Sequence, residues 1–226
     1  AAFVRHPDSD ALQQLFTCLL RLQGEERTQA LQQLDDCCQR QQGPAWDAVQ
    51  TLRQHYPDDA GRFMPLLLNV LQLAPGEAMF LHARTPHAYL SGNGLEIMAN
   101  SDNVLRAGLT GKHIDIDELV ASVDFSSRPA SSLLTAPELL PGEQAFPVPV
   151  PDFCFSVAEL PPSPQPVRWQ GPRIFFCLQG SARCTAGGQT LGLSPGESLF
   201  IPASEQEVLL SGQGRIAVAY TSCFPR

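Results

Sequence analysis

Residues 73 to 94, LAPGEAMFLHARTPHAYLSGNG, realign without a gap on residues 193 to 214, LSPGESLFIPASEQEVLLSGQG, and ten of the 22 positions are identical. The shared residues are Leu, Pro-Gly-Glu, Phe, Ala, Leu-Ser-Gly and a final Gly. Pro and Gly punctuate turns and the apolar residues between them fill a core, so the repeat is a β-unit present twice. The copies do not share chemistry, because His87 is matched by Glu207, Tyr89 by Leu209 and His82 by Pro202. The repeated feature is scaffold, and the unrepeated His87 is the candidate functional residue.

The first copy follows helices. SDALQQLFTCLLRLQ places Leu12, Leu15, Phe16, Leu19 and Leu22 on one helical face behind an N-cap at Ser9, in a helix ending near Gly24. Ala30, Leu31, Leu34 and Cys38 repeat the pattern, and Gly43-Pro44 opens a third helix carrying Trp46, Val49 and Leu52. From Leu66 onward, apolar runs of four to eight residues alternate with Pro-Gly-Glu and Ser-Gly-Asn-Gly, the grammar of an antiparallel sandwich. DIDELVASV reads as a short capped helix, and FCFSVAEL, RIFFCLQGSARCTA, QTLGL, ESLFIP, EVLLSG and RIAVAYTS read as strands. The expected organisation is a helical domain at 1–65, part of a β-domain at 66–125, a Pro- and Ser-rich crossover without a core at 126–151, and a jelly roll at 152–226. The fold class is α+β, mainly β. The first sandwich lacks opening strands, so it is either a half barrel or is completed by strands upstream of Ala1, and a start at Ala1 rather than Met favours the second.

Composition excludes some partners. A net charge of -8 offers no clustered cations for a nucleic-acid backbone. The longest apolar run, Met64 to Ala74, is interrupted by Asn69 and Gln72 and is too short to span a bilayer. The first residues lead into polar sequence and do not read as a secretory signal. Seven scattered cysteines without a C-x-x-C pair suit a reduced, cytoplasmic chain better than a disulfide framework or a cysteine zinc site.

Ionisable groups gather after His87. Glu96, Asp102, Arg106 and Lys112 lie among Leu95, Ile97, Met98, Val104, Leu105 and Leu109, which predicts that several point into a barrel. A surface charge network is the plainer alternative. Lys112 is the only Lys beside fourteen Arg. A neutral His in a barrel mouth suits a metal, although a lone His is more often structural, and His82 would face the opposite side of a shared strand. A buried Arg and Lys near a carboxylate and a metal would suit an anionic substrate that develops oxyanion charge.

PHAYLSG, LEIMANSDN, VLRAGLT and GK, read together, resemble the C-terminal signature of type I mannose-6-phosphate isomerase, as do LLLNVLQLAPGEAMFL and YPDDAGRFMPLLLN. The resemblance covers essentially the whole chain. It implies cupin-type jelly rolls, one partial and one C-terminal, and a zinc-dependent aldose-ketose isomerase that interconverts mannose 6-phosphate and fructose 6-phosphate. It implies that His87 is a zinc ligand and that Tyr89, Glu96, Asp102, Arg106 and Lys112 line the same site. Either Glu96 or Asp102 would serve as base, Arg106 would hold enediolate or phosphate, and Lys112 the phosphate. The family's Pro before this Lys is Gly111 here. Its remaining zinc ligands, a Gln-x-His pair and a Glu, belong to an N-terminal segment without counterpart in this sequence. The chain is therefore expected to be the C-terminal part of a longer enzyme, to need that segment as its partner, and to hold zinc poorly alone; the sequence leaves the oligomeric state open, with a monomer favoured. The rival readings are a metal-free sugar-phosphate binding module and a non-catalytic structural remnant.

Overall fold

The computed structural model describes residues 2–101 and 103–221. The chain divides into two compact units, one of 1–74, 81–93 and 102–133, the other of 75–80, 94–101 and 134–226.

The first unit is helical: α1 (Ala2–Arg5), α2 (Ser9–Leu20), α3 (Gly24–Cys38), α4 (Pro44–His55), a 3₁₀ turn (Ala60–Leu66) and α5 (Ile116–Ser122). Asp8, not Ser9, caps α2 by accepting from the Ala11 N–H at 2.8 Å. Both residue types cap well, and the carboxylate one position earlier reaches the first free amides. α2 stops at Arg21, and Gly24 opens α3 instead of closing α2. Pro44 begins α4, where its missing N–H costs nothing. The apolar stripes meet in two clusters, Leu31, Leu34, Cys38 and Val49 in one, Phe16, Met64, Leu119 and Val123 in the other, with Phe63 packed against both. Each fully buried Leu, Val, Phe or Met contributes about 1.5–3 kcal/mol.

The 3₁₀ turn was not legible as an element. Asp59 caps it, accepting from Gly61 N–H at 2.6 Å. Arg62 pins it to the helices. This guanidinium is buried, pairs with Asp35 on α3 and donates to the Pro57 carbonyl at 2.7 Å, while Arg53 on α4 reaches the other Asp35 oxygen at 3.3 Å.

The second unit contains β1 (Ala78–Met79), β2 (Leu134–Thr135), β3 (Glu138–Leu140), β4 (Glu143–Phe146), β5 (Cys154–Glu159), β6 (Gln165–Pro166), β7 (Arg173–Ala186), β8 (Gln189–Leu193), β9 (Ser198–Ile201) and β10 (Val208–Tyr220). β1 and β2 form a small antiparallel pair. The others form a sheet in the order β3-β4-β5-β10-β7-β8, with β6 on β10 and β9 on β7. β7 and β10 pair along their whole lengths, and a bulge at Arg215/Ile216 divides that ladder. Before the bulge β10 pairs with β6, and after it with β5. β7 divides likewise between β9 and β8. A ladder bent in its middle folds over its own inward face, as a jelly roll requires. Phe175, Cys177, Cys184, Ile216 and Val218 fill the interior, and Trp169 stacks edge-on to Phe175 with ring centroids 6.0 Å apart.

Two expectations differ here. EVLLSG and RIAVAYTS form one strand, β10, because the glycines between them bend the strand without ending it. The Pro-rich segment 126–151 carries β3 and β4, and the latter buries Ala145 and Phe146 beside β5.

The two copies of the repeat keep the same turn. Gly76 and Gly196 both adopt φ +88°. The strand that follows runs from Ser198 to Ile201 in the C-terminal copy, and only from Ala78 to Met79 in the first.

Candidate active site

Residues 80 to 115 contain no helix or strand among those described. Within the first unit, 81–93 and 103–115 are placed instead by contacts with the helical framework. Thr85 N–H closes a turn on the His82 carbonyl at 3.2 Å, with Arg84 left-handed at φ +72°. That conformation costs a non-glycine residue about 1–2 kcal/mol. Two bonds to the end of α5 hold it: Asp124 N–H donates to the Arg84 carbonyl at 3.0 Å, and Arg84 Nε donates to the Ser122 carbonyl at 2.7 Å. Asp124 is braced in turn. The side chain and N–H of Ser126, followed by Arg128, hold its carboxyl below the usual carboxylate range.

This turn delivers His87. Its Nδ1 lies 2.9 Å from the Thr85 carbonyl. A carbonyl only accepts, so Nδ1 carries the proton and Nε2 keeps its lone pair in the neutral ring. That is the tautomer of a metal-ligating imidazole steadied from behind. Tyr89 stands edge-on to the same ring, with centroids 6.1 Å apart. Both side chains are exposed, Tyr89 at 71%.

Arg106 and Lys112 lie on a second irregular segment of the same unit. Ala107 and Ile114, on either side of this stretch, pack against the cluster of Phe16, Met64, Leu119 and Val123. Between them Gly108 (φ +116°) and Leu109 (φ +54°) turn the backbone sharply, and Lys112 N–H donates to Thr110 Oγ1 at 3.2 Å. The result is a short loop anchored at its apolar residues with a cation at either end. Neither the Arg106 nor the Lys112 side chain forms an ion pair among the described residues.

Glu96 belongs to the other unit, in an irregular stretch, and is exposed. Asp102 lies outside the described residues. The expectation that these groups point into a barrel is not met by Glu96, Arg106 or Lys112, all exposed. No ladder forms along 80–115 among the described residues, so no neighbouring strand encloses them. What the structure brings together is His87 with Tyr89, and Arg106 with Lys112 through their common loop.

A zinc site needs three or four ligands. No group of three or more His, Cys, Asp or Glu able to hold a metal occurs among the described residues. His87 therefore fits zinc as one ligand of a set, and not as a site by itself. An open depression of about 800 Å³ beside Lys112 is lined by Arg21, Gln23, Glu26, His113 and Ile114 among others, and by none of the candidate residues.

Sequence reasoning missed Arg84, Asp59 and Gly61 as supports of this region. Asp59-Ala60-Gly61 was readable as an Asx-type turn, but what it packs against was not.

Comparison with known proteins identifies the framework. The family model described as Phosphomannose isomerase type I, helical insertion domain, matches residues 1–68, and that described as Mannose-6-phosphate isomerase, cupin domain, matches residues 142–221. The chain is 51% identical over 220 residues to mannose-6-phosphate isomerase of Escherichia coli, covering 97% of this chain and 56% of that protein. It is 34% identical over 236 residues to the Homo sapiens mannose-6-phosphate isomerase, covering 96% and 56%. The crystal structure of the Salmonella typhimurium mannose 6-phosphate isomerase bound to its substrate, fructose 6-phosphate, and zinc matches with a TM-score of 0.90 at 51% identity, covering 97% of this chain and 56% of that one. The chain thus spans about half the length of the curated relatives it matches.

Proposed function

Because this chain belongs to the type I phosphomannose isomerase family, we propose that it carries the phosphate-binding loop and one metal ligand of a zinc-dependent enzyme that interconverts mannose 6-phosphate and fructose 6-phosphate. The observation that carries this reading is the Arg106–Lys112 loop. It presents two exposed cations that no described carboxylate neutralises, inside the family signature VLRAGLT and GK.

Arg106 offers a planar fork that grips phosphate or enediolate oxygens two at a time, and Lys112 adds a point charge. One carboxylate, Glu96 or Asp102, takes the C2 proton of the open-chain aldose and returns it to C1, while a proton passes from O2 to O1. His87 would hold the metal through Nε2, with Nδ1 donating to the Thr85 carbonyl. Zinc, when bound, supplies Lewis-acid polarisation of the sugar oxygens. Tyr89 shields one edge of the imidazole. Ligands beyond His87 come from a part of the enzyme that corresponds to the uncovered length of the relatives. A reducing cytoplasmic setting is part of this proposal, carried by scattered cysteines without a C-x-x-C pair in the sequence.

The test compares isomerisation of mannose 6-phosphate by the full-length protein with zinc, after chelation, and as the His87→Ala and Arg106→Ala variants. Turnover that disappears on chelation and in His87→Ala, and falls at least about 100-fold in Arg106→Ala, is expected. Turnover indifferent to chelator and to His87→Ala would refute the reading. A second reading for residues 1–226 alone, carried by the two exposed cations of the Arg106–Lys112 loop, is sugar-phosphate binding without tight zinc. Zinc bound tightly at one per chain by these residues would contradict it.

A further inference from the structure

The loop that carries Arg106 and Lys112 rests on the helical framework at a point where two backbones touch. A Cβ placed on Gly108 would lie 2.9 Å from Gly61 Cα, 3.1 Å from Asp59 Oδ1 and 3.3 Å from Gly61 N. A Cβ placed on Gly61 would lie 2.9 Å from Asp59 Oδ1, 2.9 Å from Leu109 Cγ and 3.0 Å from Leu109 N. The three contacts at 2.9 Å are too short for a real Cβ and the other three are tight, so glycine facing glycine is what permits this approach. Gly108 also stands at φ +116°, where an L side chain is strained.

What Gly108 touches is rigid. Gly61 is the second residue of the 3₁₀ turn, its N–H held by Asp59 at 2.6 Å. The next residue, Arg62, is the buried guanidinium that ties this turn to Asp35 on α3, which Arg53 on α4 also contacts. Met64, one turn on, lies in the same apolar cluster that Ala107 packs against. Three successive anchors, Ala107 in the cluster, Gly108 on Gly61 and Leu109 beside Gly61, thus sit between the two cations. Neither cation is held by an ion pair among the described residues, so their backbone supplies their placement.

We propose that the 3₁₀ turn at Ala60–Leu66 is the positioning platform for Arg106 and Lys112, acting through the Gly61–Gly108 contact with Asp59 as its brace. On this view the helical domain belongs to the phosphate site without touching substrate. Gly61, Gly108 and Asp59 are positioning residues. The inference rests on the functional reading of Arg106 and Lys112 given above.

A methyl wedged into this contact must move one backbone away from the other by several tenths of an ångström, and misplacements on the order of 1 Å cost about 100-fold in rate. In the full-length enzyme, Gly108→Ala and Gly61→Ala are expected to lower kcat/KM for mannose 6-phosphate by about 10–100-fold. Zinc content per chain should stay unchanged, because His87 lies on another segment. The decisive readout is coupling. In an Arg106→Ala background, adding Gly108→Ala is expected to cost less than about twofold more, since the group it displaces is already gone. Asp59→Ala is expected to lower kcat/KM by about tenfold, with Asp59→Asn restoring most of the loss because its amide oxygen still accepts from Gly61 N–H. This pair decides the matter if the glycine variants fold poorly. Folded Gly108→Ala and Gly61→Ala enzymes within twofold of wild type overturn the inference, and so does a full additional loss in the Arg106→Ala background. If Arg106→Ala is itself as active as wild type, the functional reading fails and this inference fails with it. An inactive Arg106→Ala beside fully active glycine variants removes the inference alone.

Discussion

Replacing Asp35 with Ala tests whether the helical framework is held by a buried charge pair or merely tolerates one. Arg62 is 2% exposed and Asp35 8%. Without Asp35, the Arg62 guanidinium keeps the Pro57 carbonyl at 2.7 Å as its remaining bond, and its Nε has no hydrogen-bond partner among the described residues. The cation is shut off from water. Breaking a buried pair from one side costs about 3–5 kcal/mol. The second partner, Arg53, has a half-exposed side chain and adds at most about 1 kcal/mol. The framework should therefore lose about 3–5 kcal/mol, read as a lowered urea midpoint followed by helix circular dichroism. The same reasoning makes a second demand. Replacing both partners with apolar residues, Asp35→Leu with Arg62→Met, should recover most of the loss, because the penalty lies in the orphaned charge and not in the missing attraction. An Asp35→Ala variant within about 1 kcal/mol of wild type would refute the argument. So would a double variant as unstable as the single one.

Gly180 stands at φ +81°, where a Cβ would fall 1.8 Å from the Gln213 carbonyl oxygen, so Gly180→Ala should break the β7–β10 ladder. A destabilisation above about 4 kcal/mol or failure to recover soluble protein is expected, and a melting temperature equal to wild type would contradict it. Burial pushes the Cys184 thiol up, with Arg173 only partly opposing, whereas Cys18 is exposed. Iodoacetamide at pH 8 should therefore label Cys18 within minutes and leave Cys184 unmodified until the β-unit unfolds, as peptide mass spectrometry would read. Asp124 has a depressed carboxyl, so the hydrogen bonds that it accepts from Ser126 and Arg128 contribute stability above the ordinary carboxylate pKa that is lost as pH falls through the lowered folded value. The Ser126 amide resonance should titrate with a midpoint below the ordinary carboxylate value; a midpoint at or above that value would contradict the hydrogen bonds.

Helices and most strands were legible because burial imposes a period. Leu31, Leu34 and Cys38 are buried on one face of α3, and β5 and β7 alternate inward and outward residues. Boundaries were less legible where two residues could do the same job. Asp8 and Ser9 both cap well, and only the structure decides between them. Composition concealed β4, since four residues, EQAF, lie among prolines and take their strand character from β5 beside them. The candidate residues were legible as chemistry but not as surroundings. Local pattern named His87, Arg106 and Lys112, yet the Arg84 and Gly61 contacts that place them join residues far apart in sequence. A glycine chosen for what touches it looks, in sequence, like any turn glycine.

The repeat shows why surroundings and chemistry separate. In β10 the inward residues Val208, Leu210, Ile216 and Val218 are all buried, and they close the C-terminal jelly roll on a filled interior. Continuing the gapless alignment sets Ala88, Leu90, Glu96 and Met98 against these four. Leu90 and Leu210 are identical, and two further positions exchange one apolar side chain for another. The fourth exchanges an isoleucine with no exposed surface for a carboxylate. An ionised carboxylate in that position would require a cation, a hydrogen-bond donor or water to offset its desolvation. A β-unit with Ile there can seal its core, whereas one with Glu must leave room for whatever answers the charge. The turns that make the scaffold, with Gly76 and Gly196 at the same φ of +88°, tolerate either choice. The turn grammar thus recurs in both copies while their chemistry differs, and the side chain at position 96 marks where they part.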